Sequence, residues 1–156
     1  THLFEAQEIN EGGAIAGTAL VGGVFRAFLM EPMAPWTPLG GGLPGSGKAP
    51  VLEGFGSLEG GERIELRVHE TPAGAPVVLV AGAAQISIPL LGGVLIPSPD
   101  QIFAPMLAGT GGDLALELVW PTGVAPGVPT YWQAWVVDAT GPQGFTASNA
   151  VTAVTQ

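Results

Sequence analysis

"ERIELRVHE", residues Glu62 to Glu70, carries Ile64, Leu66 and Val68 at every second position, with Arg63, Glu65, Arg67 and His69 between them. Successive side chains of an extended strand point to opposite faces, so this spacing gives one apolar face and one charged face. A helix would need its apolar residues three and four apart. The stretch therefore reads as a half-buried strand, which must bury its apolar face against a second layer.

The chain after it has the same character. "TPAGAP" (Thr71 to Pro76) is turn chemistry, and "VVLVAG" (Val77 to Gly82) is a short apolar run of the buried-strand kind. "QISIPLLGGVLIP" (Gln85 to Pro97) reads as one or two strands broken at Gly92-Gly93. "DLALELVW" (Asp113 to Trp120) alternates again, with Leu114, Leu116, Leu118 and Trp120 on one face. "TYWQAWVVD" and "FTASNAVTAVT" complete the set. Strands recur about every dozen residues with Gly/Pro turns between them, a cadence that predicts an antiparallel β-sandwich.

Composition agrees. The chain has 156 residues, 47% hydrophobic and only 11% charged, enough apolar material to fill a core and too much for a disordered chain. Its 25 glycines and 15 prolines punctuate apolar segments, as turns do between strands. The net charge of −9, with four Lys+Arg in all, excludes a surface that neutralises a row of phosphates, so no nucleic-acid partner is expected. The same charge disfavours an anionic membrane surface. Without cysteine there is no disulfide, no thiol catalysis and no zinc-thiolate site. The chain begins at Thr1, and no basic segment precedes an apolar one. The expectation is a mature secreted product whose signal peptide has been removed.

The first fifty residues differ. "THLFEAQEINEGG" is an acidic leader with weak alternation, and Ala14 to Met30 is a long apolar run. Arg26 interrupts that run and Gly17, Gly22 and Gly23 weaken any helix, so no membrane span is expected. A two-stranded hairpin turning at Gly22-Gly23 is the expected form. "EPMAPWTPLGGGLPGSGKAP" then reads as an ordered linker or long loop. The expected division is an extension over 1–38 with strand and hairpin character, and a sandwich domain over 39–156.

Within that loop, Gly42-x-x-x-x-Gly47-Lys48 nearly spells a phosphate-binding loop. Its next position should be the Ser or Thr whose hydroxyl ligates magnesium, and it is Ala49. The loop should also open a helix after a buried strand, and "PVLEGFGSLEGG" has no helical period. No nucleotide is expected there.

Other chemistry fares no better. A hydrolase base would have to be His2 or His69, and His69 falls on the charged face of its strand. Ser57 lacks the spacing of a nucleophile elbow, because Phe55 stands where Gly should. Glu53, Glu59, Glu62, Glu65, Glu70 and Glu117 alternate outward or lie in turns, and Asp100, Asp113 and Asp138 are far apart in sequence. No catalytic residue, cofactor or metal is expected. The aromatics Trp36, Trp120, Trp132 and Trp135 could stack on sugars, but Tyr131 and Trp135 face one way along their strand and Trp132 the other, so at least one face is core.

From about Leu39 the chain resembles the Gly/Pro-rich β-sandwich domain found toward the C-terminus of many large secreted bacterial proteins. The resemblance is carried by "GGGLPGSGKAPVLEGFGSLEGGERIEL", "TPAGAPVVLVAG" and "TYWQAWVVDATGPQGFTASNAV", and covers about three-quarters of the sequence. It implies a sandwich fold, a secreted location and no catalytic residues. Two departures stand out. The family's mid-domain Cys is missing, and the domain here follows a short extension.

The expectation is an all-β, antiparallel Ig-like or jelly-roll-like β-sandwich with an N-terminal strand extension, non-enzymatic and located outside the cell or on its surface. Its expected role is a self-assembling fibre or surface subunit, with a second copy as the main partner. An extended segment can add a strand to a neighbour's open sheet edge, so Leu3, Phe4, Ile9, Ile15, Val21, Phe25 and Phe28 are the expected assembly residues. The rival expectation is a carbohydrate-binding or adhesion module with a polysaccharide partner, using Trp36 and one of Trp120, Trp132 or Trp135.

Overall fold

The computed structural model describes residues 2–9, 15–30 and 36–156, with the backbone alone for residues 2–5, 7 and 30. The chain forms two compact units, Thr1–Ala34 and Pro35–Gln156. Trp36–Gly40 is a strand of the second unit, so the sandwich begins a few residues before the expected boundary after residue 38.

The first unit is an antiparallel meander of β1 (His2–Ile9), β2 (Ile15–Val21) and β3 (Val24–Met30), in that order. β2 and β3 pair without interruption from Ile15 opposite Met30 to Val21 opposite Val24. The turn between them is Gly22 and Gly23, with φ of +60° and +79°. A two-residue turn that matches the strand twist needs left-handed backbone at both positions, which glycine supplies without cost. The expected hairpin is thus present, and the Ala14 to Met30 run supplies strands. Among the described residues no helix is long and apolar enough to cross a membrane.

The second unit is a sandwich. β4 (Trp36–Gly40), β5 (Val51–Phe55), β6 (Arg63–His69) and β7 (Pro76–Gly82) are followed by β8 (Gln85–Leu90) and β9 (Gly93–Pro97). Then come β10 (Gln101–Ile102), β11 (Met106–Leu107), β12 (Leu114–Val119), β13 (Pro129–Val137), β14 (Phe145–Ala147) and β15 (Ala150–Val154). The larger sheet runs β10-β7-β13-β15-β4, with β11 also on β7 and β14 on β13. The smaller sheet runs β12-β6-β5. Every pairing is antiparallel.

The core forms where the alternating faces meet. Ile64, Leu66 and Val68 of β6 pack in one cluster with Val77 and Leu79 of β7, and with Trp132, Ala134 and Val136 of β13. Each such fully buried aliphatic side chain contributes about 1.5–3 kcal/mol relative to exposure. Leu114, Leu116 and Leu118 lean on the same cluster from β12, but remain half-buried.

A third layer covers the outer face of the larger sheet. β8 and β9 form a hairpin, and Leu95 and Leu91 from it pack with Val80, Trp135, Ala147 and Leu43. The hairpin turns at Leu91 and Gly92, with φ of +46° and +86°, one residue earlier than expected. β13 is therefore buried on both faces through Trp132–Val136. Gln133 lies on the hairpin side, fully buried. Its carbonyl oxygen accepts from Ile96 N–H at 3.0 Å, and its amide donates to the carbonyls of Val94 at 3.1 Å and Ser148 at 3.2 Å. One side chain so joins β9 to the corner before β15, and each buried polar group finds a partner.

Candidate assembly surface

The edges of the sandwich differ in how they end. β10 and β11 are two residues each. β4 contains Pro38, which has no N–H to offer, and its register with β15 shifts between Ala150 and Val151. β5 is closed by a side chain: Asn149 Oδ1 accepts from Leu52 N–H at 2.9 Å and Asn149 Nδ2 donates to Leu52 O at 3.0 Å. β12 is six residues long, and among the described residues no strand lies beside its outer edge. An uncovered edge of this length is a template for another strand.

Beside β12 lies an open groove of about 480 Å³, lined mainly by apolar surface that includes Phe103, Leu118, Val119, Trp120 and Trp132. Leu118, on the core-facing row of β12, lines it, because β12 ends the smaller sheet and among the described residues no strand lies beyond it. That is why Leu114, Leu116 and Leu118 stay half-exposed while the same row on β6 is buried.

The outer face of the smaller sheet carries the charges. Arg67 binds Glu65 through two hydrogen bonds of 2.8 Å and lies over the Phe55 ring at 4.7 Å. The Arg67 guanidinium holds the Glu65 carboxyl below the usual carboxylate range. Glu117 sits directly opposite Glu65 across β12 and β6, and its nearest cation, Arg63, is 3.7 Å away with both side chains largely exposed. Like charges directly opposite are unfavourable, so Glu117 stands weakly compensated.

In the first unit, β3 is an edge strand whose exposed large side chains include Phe25 (60%) and Leu29 (64%). Among the expected assembly residues, Ile9 is exposed and pairs opposite half-buried Ile15. Val21 is exposed opposite Val24, and half-buried Phe28 stands opposite Gly17. Leu3 and Phe4 lie in β1, and their side chains fall outside the described residues. β1, which holds Leu3, Phe4 and Ile9 of the expected assembly residues, is itself paired with β2, with register shifts between Leu3 and Glu5 and between Ala6 and Glu8.

The sugar-stacking expectation is corrected. Trp36, Trp132 and Trp135 are 7%, 4% and 5% exposed, so their ring faces are covered. Trp36 and Trp132 meet edge to face at 6.1 Å inside the sandwich, while Trp135 sits under the β8–β9 hairpin. The expected opposition of Trp132 and Trp135 holds, but a third layer buries the second face as well. Trp120 is half-buried and lines the groove.

His69 is half-exposed on the charged face, with Nδ1 3.1 Å from Asp113 and Nε2 3.4 Å from Glu53. Both ring nitrogens thus face carboxylates, leaving neither aimed at a nucleophile. Lys48 of the glycine-rich loop pairs with Glu70 at 3.5 Å, and the loop leads into strand β5. Among the described residues no group of three or more His, Asp or Glu could hold a metal ion. Asp100 is engaged locally, accepting from Ala83 N–H and the Ser98 hydroxyl, each at 2.8 Å. Asp138 accepts from Thr140.

Comparison with protein-family models, with curated proteins and with solved structures gave no match.

Proposed function

We propose that the chain is a non-enzymatic structural subunit that self-assembles outside the cell by β-strand addition. The observation that carries this reading is the outer edge of β12, which no strand covers among the described residues, with three half-exposed leucines of which Leu118 lines an apolar groove. A strand laid there would supply main-chain hydrogen bonds and complete the sandwich core in one step. The first unit supplies the complementary feature, an edge strand with exposed Phe25 and Leu29. A copy that carries one donor and one acceptor associates head to tail, and such contacts build open polymers unless they close into a ring. The extracellular setting rests on the resemblance to secreted bacterial sandwich domains.

Light scattering and negative-stain microscopy across a concentration series test the reading. The expected result is filaments or higher oligomers from the intact chain and none from a chain lacking residues 1–34. A monomer at all concentrations for the intact chain overturns it.

A further inference from the structure

The geometry points to a specific joint: β3 of one copy adds antiparallel to β12 of a second copy, with Arg26 beside Glu117. This inference rests on the strand-addition reading and names its two partners and their register.

The acceptor follows from the edges already described. β10 and β11 are short, β4 carries Pro38, and β5 is closed by Asn149. β8 carries Pro89 and a register shift, and β9 is held by Gln133 at Val94 and Ile96, which among the described strands of the second unit leaves β12. The donor follows by the same reasoning. β1 has two register irregularities and the acidic residues Glu5 and Glu8, features that blunt an edge. β3 is regular over seven residues, and Arg26 is its single charged residue and the sole Lys or Arg in 1–34.

Charge fixes the register. Copies with a net charge of −9 repel one another, and Glu117 already faces Glu65. β1 on this edge would bring more carboxylates, whereas β3 brings one cation to Glu117, whose nearest cation is an exposed Arg63 at 3.7 Å. With Arg26 opposite Glu117, antiparallel pairing sets Val24 opposite Val119, Phe25 opposite Leu118 and Ala27 opposite Leu116. It then sets Phe28 opposite Ala115 and Leu29 opposite Leu114.

The period-2 rule then works in favour of the joint. Residues directly opposite share a face, so Phe25, Ala27 and Leu29 join the core-facing row of Leu118, Leu116 and Leu114. Val24, Arg26 and Phe28 join the outer row with Val119, Glu117 and Ala115. A shift of one residue would turn Arg26 toward the apolar groove. Small residues meet large ones at Ala27–Leu116 and Phe28–Ala115, which suits close packing.

The chain has no cysteine, so the joint can be read by disulfide formation. Val24→Cys and Val119→Cys are both at exposed positions and would face each other. The two single variants are mixed and oxidised under conditions where scattering reports assembly. Phe28→Cys with Ala115→Cys is the second in-register pair, and Phe25→Cys with Val119→Cys is the out-of-face control. The expected result is mixed disulfide dimers from both in-register pairs and about tenfold less from the control. Arg26→Glu should raise the concentration needed for assembly about fivefold, and adding Glu117→Arg should restore it.

Assembly without in-register disulfides, and indifferent to the charge reversals, overturns this joint and leaves strand addition standing by another edge. A disulfide that forms within single chains carrying both cysteines, and not between the mixed single variants, also overturns it. Absence of assembly by the unmodified chain removes both the joint and the reading beneath it.

Discussion

Asn149 binds both main-chain groups of Leu52, taking its N–H at 2.9 Å and giving to its carbonyl at 3.0 Å, as a neighbouring strand would. Asn149 stands at the corner between β14 and β15 of the larger sheet and Leu52 in β5 of the smaller, so this one amide closes the β5 edge and ties the sheets together. β12, at the other end of the same sheet, has no such partner among the described residues.

Asn149→Ala leaves a part-buried N–H and carbonyl unpaired. It is expected to lower stability by about 2–3 kcal/mol. Asn149→Asp keeps the acceptor and loses the donor, so its cost should fall between Asn149→Ala and the unmodified chain. Urea unfolding of the three proteins, under conditions where they are monomeric, checks the order.

Gln133→Leu removes the hinge between β9 and the corner before β15. The Ile96 N–H loses its acceptor and the Val94 and Ser148 carbonyls lose a donor, all on the hairpin side of the sheet. A loss of about 3 kcal/mol is expected, because a buried polar group left alone costs more than the bond itself returns. The midpoint of denaturation should fall with little change in slope.

Gly54 is where the Trp36 ring rests: a Cβ there would run into the indole. Trp36 is also fixed by its Nε1–H, which donates to Gly56 O at 3.0 Å. Gly54→Ala should therefore cost about 1–3 kcal/mol by forcing the ring from its place. In a Trp36→Leu background the same change should cost under about 0.5 kcal/mol, a coupling that a double-mutant cycle measures.

Asp100 supplies a pH test. Hydrogen bonds from Ala83 N–H and then from the Ser98 hydroxyl hold its carboxyl below the usual range. A carboxylate with a depressed folded pKa adds stability above its unfolded value, about 4, and that stability disappears as pH falls through the folded value. Asp100→Asn should thus be less stable than the unmodified chain at neutral pH, and the gap should narrow as pH drops below the carboxylate range. Paired urea titrations at neutral and acidic pH measure the gap, and a gap independent of pH contradicts the assignment.

What the sequence made legible was local periodicity. Ile64, Leu66 and Val68 read as a core face and are one, and Gly22-Gly23 read as a hairpin turn and takes the required backbone. What it hid was position within a sheet. Leu114, Leu116 and Leu118 have the same spacing as the β6 row, yet stay half-exposed because β12 ends its sheet. Trp135 alternates with Trp132 and would be exposed in a two-layer sandwich. The β8–β9 hairpin, remote in sequence from β13, packs over it and buries Trp135. The roles of Gln133 and Asn149 were likewise invisible, since their partners lie 37 and 97 residues away along the chain.

Amide hydrogen exchange at Leu114–Val119, followed as the protein concentration is raised, reads strand addition at the β12 edge itself. Strand addition predicts that the amides facing away from β6 exchange quickly in dilute solution and become protected as scattering increases. Rapid exchange of those amides at every concentration, including where assemblies are present, would contradict it.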